Sequence, residues 1–141
     1  MRRTYWATTA IVVGECAVGG TMDLFRMAPF YPMLIDLGYP GYLSPILGGA
    51  KLAAAVVIAV PGLPRLKEWA YAGVLINMLG AAASNGAAHQ YSGMVAPTAF
   101  AVLALASWAT RPRSRKLLPA EARSEAAEEL AAAYGVQEHD R

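Results

Sequence analysis

The sequence predicts an all-α protein: a four-transmembrane-helix bundle with both termini cytoplasmic, a short interfacial helix in the first outer loop and a soluble C-terminal helix. Three observations carry this reading. Only 16% of the 141 residues are charged, against about 25% in a typical soluble domain. Four apolar stretches approach the about 20 residues a helix needs to cross the hydrocarbon. Lys and Arg alternate from side to side between those stretches, as the positive-inside rule requires.

The apolar stretches are residues 5–22, 42–60, 69–88 and 96–110, separated by Pro, Gly and charged clusters. Tyr5, Trp6, Tyr42, Trp69, Tyr71, Tyr91 and Trp108 lie near their ends, where an aromatic belt meets the headgroups. Arg2 and Arg3 precede the first stretch, Arg65 and Lys67 fill the loop 61–68, and Arg111, Arg113, Arg115 and Lys116 follow the fourth stretch. The first loop carries only Arg26 and the third carries no basic residue. Both ends and the second loop are therefore expected in the cytoplasm, with the protein a multi-pass component of the cell membrane.

Arg2 and Arg3 ahead of an apolar run also fit a signal peptide. Glu15 interrupts that run, however, and Val13-Gly14-Glu15 ahead of Cys16 does not fit a lipoprotein cleavage site, so a retained helix is expected. Residues 31–37 read as the interfacial helix, stopped by Gly38. Its Phe30, Met33, Leu34 and Leu37 would rest on lipid or on the mouth of the bundle. The chain thus divides into a transmembrane domain, 1–112, and a cytoplasmic tail, 113–141. Within the tail, the Ala- and Glu-rich residues 119–134 favour a solvated helix.

Composition also excludes several chemistries. One cysteine, Cys16, permits no internal disulfide and no CxxC pattern. Two histidines, His89 and His139, are too few for a zinc cluster. No Gly-rich phosphate loop and no basic, aromatic-interleaved nucleic-acid surface occurs. The net charge of +2 is small. No cofactor has a recognisable binding motif and no metal site is expected.

The informative residues are the polar ones inside the apolar stretches. A charge at mid-helix costs about 2.5–3.5 kcal/mol on insertion and usually faces the protein interior. At ~1.5 Å per residue, Glu15 lies ~15 Å from the inner face and Lys51 ~14 Å from the outer face. They meet near mid-membrane on antiparallel neighbours, so an ion pair is expected, and these two are the candidate catalytic residues. Asn77 lies ~12 Å from the inner face. It belongs to a stripe of Gly73, Asn77, Gly80 and Ser84, with Asn85 and His89 on an adjacent stripe. Asp23 and Arg26, three residues apart, read as an interfacial pair. The candidate substrate-binding set is therefore Asn77, Ser84, Asn85, His89, Asp23 and Arg26, with Asp36 at the outward opening. A structural role competes at each position: paired charges, amides that join helices, packing glycines and a solvated histidine.

The strings Leu37-Gly38-Tyr39-Pro40, Ile46-Leu47-Gly48-Gly49-Ala50-Lys51-Leu52 and Val60-Pro61-Gly62-Leu63-Pro64-Arg65-Leu66-Lys67-Glu68-Trp69-Ala70-Tyr71-Ala72-Gly73 resemble the DoxX-like family of small four-helix integral membrane proteins. The resemblance covers roughly residues 5–110, and Lys67 to Gly73 is specific to one branch. Family members often end the third helix in Ser-His, where this chain has Ser84-Asn85 and places His89 one turn later. The family takes its name from a subunit of a thiosulfate:quinone oxidoreductase, so the resemblance implies a redox setting and a quinone as the molecule to be bound.

Three functions fit these residues. One is a redox-associated component that meets quinone or another small hydrophobic substrate at Glu15, Lys51 and Asn77, with a redox partner subunit or as a homodimer. Another is a cofactor-free isomerase, cyclase or hydrolase using Glu15 and Lys51 as an acid–base pair. The third is a non-enzymatic anchor or ligand-binding subunit. The expected partners are the lipid bilayer and a small hydrophobic or redox-active molecule, not nucleic acid.

Overall fold

A computed structural model describes residues 2–112 and 120–134, and every element in them is helical. Helices α1 (Arg2–Leu24), α3 (Leu43–Ala59), α4 (Pro64–Ala87) and α5 (Val95–Ala109) form the bundle. The short α2 (Phe30–Asp36) follows α1, a 3₁₀ turn (Tyr91–Met94) leads into α5, and α6 (Ala120–Tyr134) forms the tail. Arg113, Arg115, Lys116 and His139 lie outside the described residues.

The four long helices pack in the cyclic order α1, α3, α4, α5, each against two neighbours. The core they enclose includes Val12, Cys16, Ile58, Tyr71, Met78 and Ala104. Small residues allow the helices to approach closely, and the tightest approach is α1 against α3. A Cβ added at Gly48 would lie 2.6 Å from the Gly20 carbonyl oxygen and 2.8 Å from Leu24 Cα. Gly73 and Gly80, expected as packing glycines, instead have no atom within 4 Å of an added Cβ. The stripe on α4 is therefore not a helix–helix seam.

Helix α4 begins five residues before the expected position. Pro64 occupies its first turn, where a missing N–H costs nothing. Arg65, Lys67 and Glu68 are thus helical, and the loop contracts to the residues between Ala59 and Pro64. Lys67 is fully buried and its ammonium donates to the carbonyls of Val57, Ile58 and Val60. It places a cation on the carbonyls at the C-terminal end of α3, the charge a helix C-terminus favours.

The bundle's outer face is apolar: Ile46, Val56, Trp69, Ile76 and Val102 are all exposed. Asp23, Lys67 and Arg111 are buried, and Glu15 and Lys51 nearly so. The segment Tyr91–Ala109 is long and apolar enough to cross a membrane, and Leu43–Ala59 is apolar but shorter. Along α6, the described side chains from Ser124 to Ala133 are exposed apart from the half-buried Ala131.

Gly48→Ala is expected to destabilise the bundle by about 1–3 kcal/mol through overpacking against α1. Gly49→Ala, whose Cβ would meet nothing, is expected to be neutral or stabilising. Denaturant unfolding of both variants in detergent checks this, and equal stabilities would contradict the close crossing.

Candidate functional site

Glu15, Gly19 and Asp23 are spaced by four residues along α1, so they share one face. That face meets Lys51 of α3. The Lys51 ammonium lies 3.3 Å from Glu15 Oε1 and 3.1 Å from Asp23 Oδ2. All three side chains are only about a tenth exposed. The room for this arrangement comes from Gly19: a Cβ there would stand 2.9 Å from Glu15 Oε1 and 3.4 Å from Lys51 Nζ. The Ser44 hydroxyl donates to the Asp23 carbonyl over 2.7 Å, fixing the start of α3 to the last turn of α1. The Phe30 ring of α2 covers the ammonium at 5.3 Å from its centroid, a cation–π distance. Two carboxyl groups thus share one ammonium.

The cluster lies in the wall of a cavity of about 340 Å³. Asn77 and Asn85 of α4 also line it, while Phe30, Met33 and Leu37 from the α2 segment and Phe100 of α5 supply apolar wall. The Asn85 amide donates to the Ala81 carbonyl over 2.9 Å, and its Oδ1 is buried with no hydrogen-bond partner. A second, almost wholly apolar cavity of about 470 Å³ runs between α3 and α4. Leu47, Lys51 and Asn77 line both.

The structure therefore brings together Glu15, Lys51, Asp23, Asn77 and Asn85, but not the other candidates. Asp23 does not turn to Arg26 as expected; its carboxylate pairs with Lys51. Arg26 (φ 54°) and His89 (φ 59°) take left-handed positions that end α1 and α4. At each, paired backbone bonds close the helix: Arg26 N–H to Asp23 O with Met27 N–H to Met22 O, and His89 N–H to Gly86 O with Gln90 N–H to Asn85 O. The His89 ring lies at the exposed surface, 3.1 Å from the Tyr91 hydroxyl. Ser84 shares a 2.6 Å hydrogen bond with Tyr39 and joins α4 to the segment after α2.

Sequence reasoning missed a second polar cluster at the opposite end. Ser107 shares 2.7 Å hydrogen bonds with both Thr9 and Tyr71, joining α5 to α1 and α4. Nearby, Arg111 pairs with Glu68 at 2.6 Å, and the Trp108 indole donates to the same carboxylate at 2.7 Å. Arg111 also stands over the Tyr71 ring at 5.1 Å. Ser107 is among the few polar residues of an otherwise apolar helix, which was the available clue.

The family model for the DoxX-like family matches residues 7–107, taking in most of the bundle. No curated protein and no solved structure gives a significant match to the chain.

Lys51→Met is expected to cost about 3–5 kcal/mol, because it leaves two carboxylates buried without their cation. Adding Glu15→Gln and Asp23→Asn should recover much of that loss by removing the stranded charges. Unfolding free energies in detergent test this. A triple variant no more stable than Lys51→Met would contradict the electrostatic account.

Proposed function

We propose a function for a chain that belongs to the DoxX-like family of membrane proteins: it binds a small hydrophobic, redox-active molecule of the quinone class and serves a membrane redox complex. The observation that carries this is a cavity with apolar walls and one concentrated polar patch, formed by Glu15, Asp23, Lys51 and Asn77. Such sites suit ligands with an apolar body and a polar head. The adjoining groove between α3 and α4 offers the apolar part a path along Leu47 and Ile76 towards lipid.

The membrane arrangement belongs to the same proposal. The four long helices span the cell membrane, with α2 at the outer interface and both ends in the cytoplasm. Its support is the apolar outer face, the inward charges and the Lys/Arg distribution. The cavity then lies in the outer half of the membrane. Electrons reside in the ligand and pass to a partner subunit. Glu15 and Asp23 offer proton acceptors beside the bound head. The same surplus carboxylate would serve a cofactor-free isomerase, cyclase or hydrolase, which activity in the absence of any redox partner would distinguish.

Purification in mild detergent, followed by mass spectrometry of extracted lipids and associated subunits, tests the ligand reading. A co-purifying quinone that is lost on Glu15→Gln is the expected result. Wild-type protein free of quinone and redox subunits would overturn it. For the arrangement, a membrane-impermeant thiol reagent on intact cells should label Asp36→Cys but not Pro61→Cys, against a buried Cys16. The reverse pattern would overturn the orientation.

A further inference from the structure

The hydrogen-bonding capacity of the cavity is one-sided. Among the described residues, Lys51 is the only cation in its wall. Two of the directions open to that ammonium end on Glu15 and Asp23, and Phe30 covers it from α2. The Asn85 amide is bonded to Ala81, and turning that amide over would set its oxygen against a carbonyl. What this side chain has left is one amide N–H and the acceptor Oδ1, which is buried against Gly93. The two carboxylates each have about four lone-pair sites when ionised, and a single ammonium contacts both. Asn77 and Ser92 can both donate and accept, and so do not alter the balance. Acceptors outnumber donors: against the carboxylate lone pairs stand one further ammonium N–H of Lys51, one further amide N–H of Asn85, and the Asn77 and Ser92 groups.

We propose that the cavity selects a ligand whose head donates hydrogen bonds, a hydroxylated ring, over the carbonyl compound of the same skeleton. This rests on the proposed ligand site and refines its chemistry. For a redox couple, the site holds the dihydroxy form in preference to the dicarbonyl form. Hydroxyl protons from the ligand meet lone pairs of Glu15 and Asp23, whereas ligand carbonyls would set oxygen against those carboxylates and compete for the fewer donors of Lys51 and Asn77. A mismatched buried polar group is the strongest source of discrimination between such analogues.

The test uses the full-length protein in nanodiscs of zwitterionic lipid, titrated by calorimetry with a decyl-tailed benzoquinone and, anaerobically, its hydroquinone. The hydroquinone should bind about tenfold tighter or more, the equivalent of one hydrogen bond to a charged group. That ratio would raise the midpoint of the bound two-electron couple by about 30 mV. Asp23→Asn, which keeps the shape and exchanges a pure acceptor for an amide, should bring the ratio towards one. Equal or tighter quinone binding by the wild type overturns the donor preference and leaves the ligand site standing. Binding of neither form overturns both. A tenfold ratio unchanged in folded Asp23→Asn and Glu15→Gln variants overturns the assignment to these carboxylates.

Discussion

A single ammonium shared by two carboxylates organises this molecule. Lys51 reaches from α3 into the face of α1 that carries Glu15 and Asp23, and it contacts both. Burying such a group is expensive, and replacing it with apolar residues would often stabilise a protein. The arrangement also constrains its surroundings. Gly19 must lack a side chain so that ammonium and carboxylate can meet beside it. Gly20 and Gly48 must let the two helices close to backbone contact. Ser44 ties the Asp23 carbonyl to α3 so that the second carboxylate keeps its register.

The two ends of the bundle differ in a way that follows from this. At the end near the chain's start, buried hydroxyls of Thr9, Ser107 and Tyr71 satisfy one another, and Lys67 saturates the carbonyls that end α3. These bonds close that end with protein-to-protein contacts. At the other end the short α2 covers a cavity, and Asn85 keeps an acceptor with no partner. Buried polar groups are normally paired, and an unpaired one calls for an explanation. The two ends differ in space rather than in pairing, since Arg111 Nη1 at the closed end is also buried without a partner while the other end encloses the cavity.

Much of this was legible in the residues. The four long helices coincide with the four apolar stretches. Gly38 marked the end of α2 through its φ preference, whereas the start of α4 at Pro64 lies five residues before the expected one. The Glu15–Lys51 pair followed from matched depth on neighbouring helices. What escaped depended on rotation about a helix axis rather than depth along it. Asp23 is four residues beyond Gly19 and eight beyond Glu15, a spacing that places it on the Lys51 face, yet its nearness in sequence to Arg26 suggested another partner. Lys67 looked like a loop charge because a basic residue beside Pro64 normally lies in solvent, and only the fold of α4 back over α3 buries it. Arg26 and His89 read as site residues by type, but their backbones terminate helices.

The most direct measurement is solid-state NMR of the protein in bilayers, with ¹⁵N in the lysine ammonium groups and ¹³C in the Glu and Asp carboxyls. Dipolar contact from the Lys51 ammonium to both Glu15 and Asp23, at separations matching the N···O distances of 3.3 Å and 3.1 Å, is the predicted result. Assignment follows from loss of each contact in Glu15→Gln and Asp23→Asn. A Lys51 ammonium in contact with neither carboxyl would contradict the shared ion pair and the ligand site built on it.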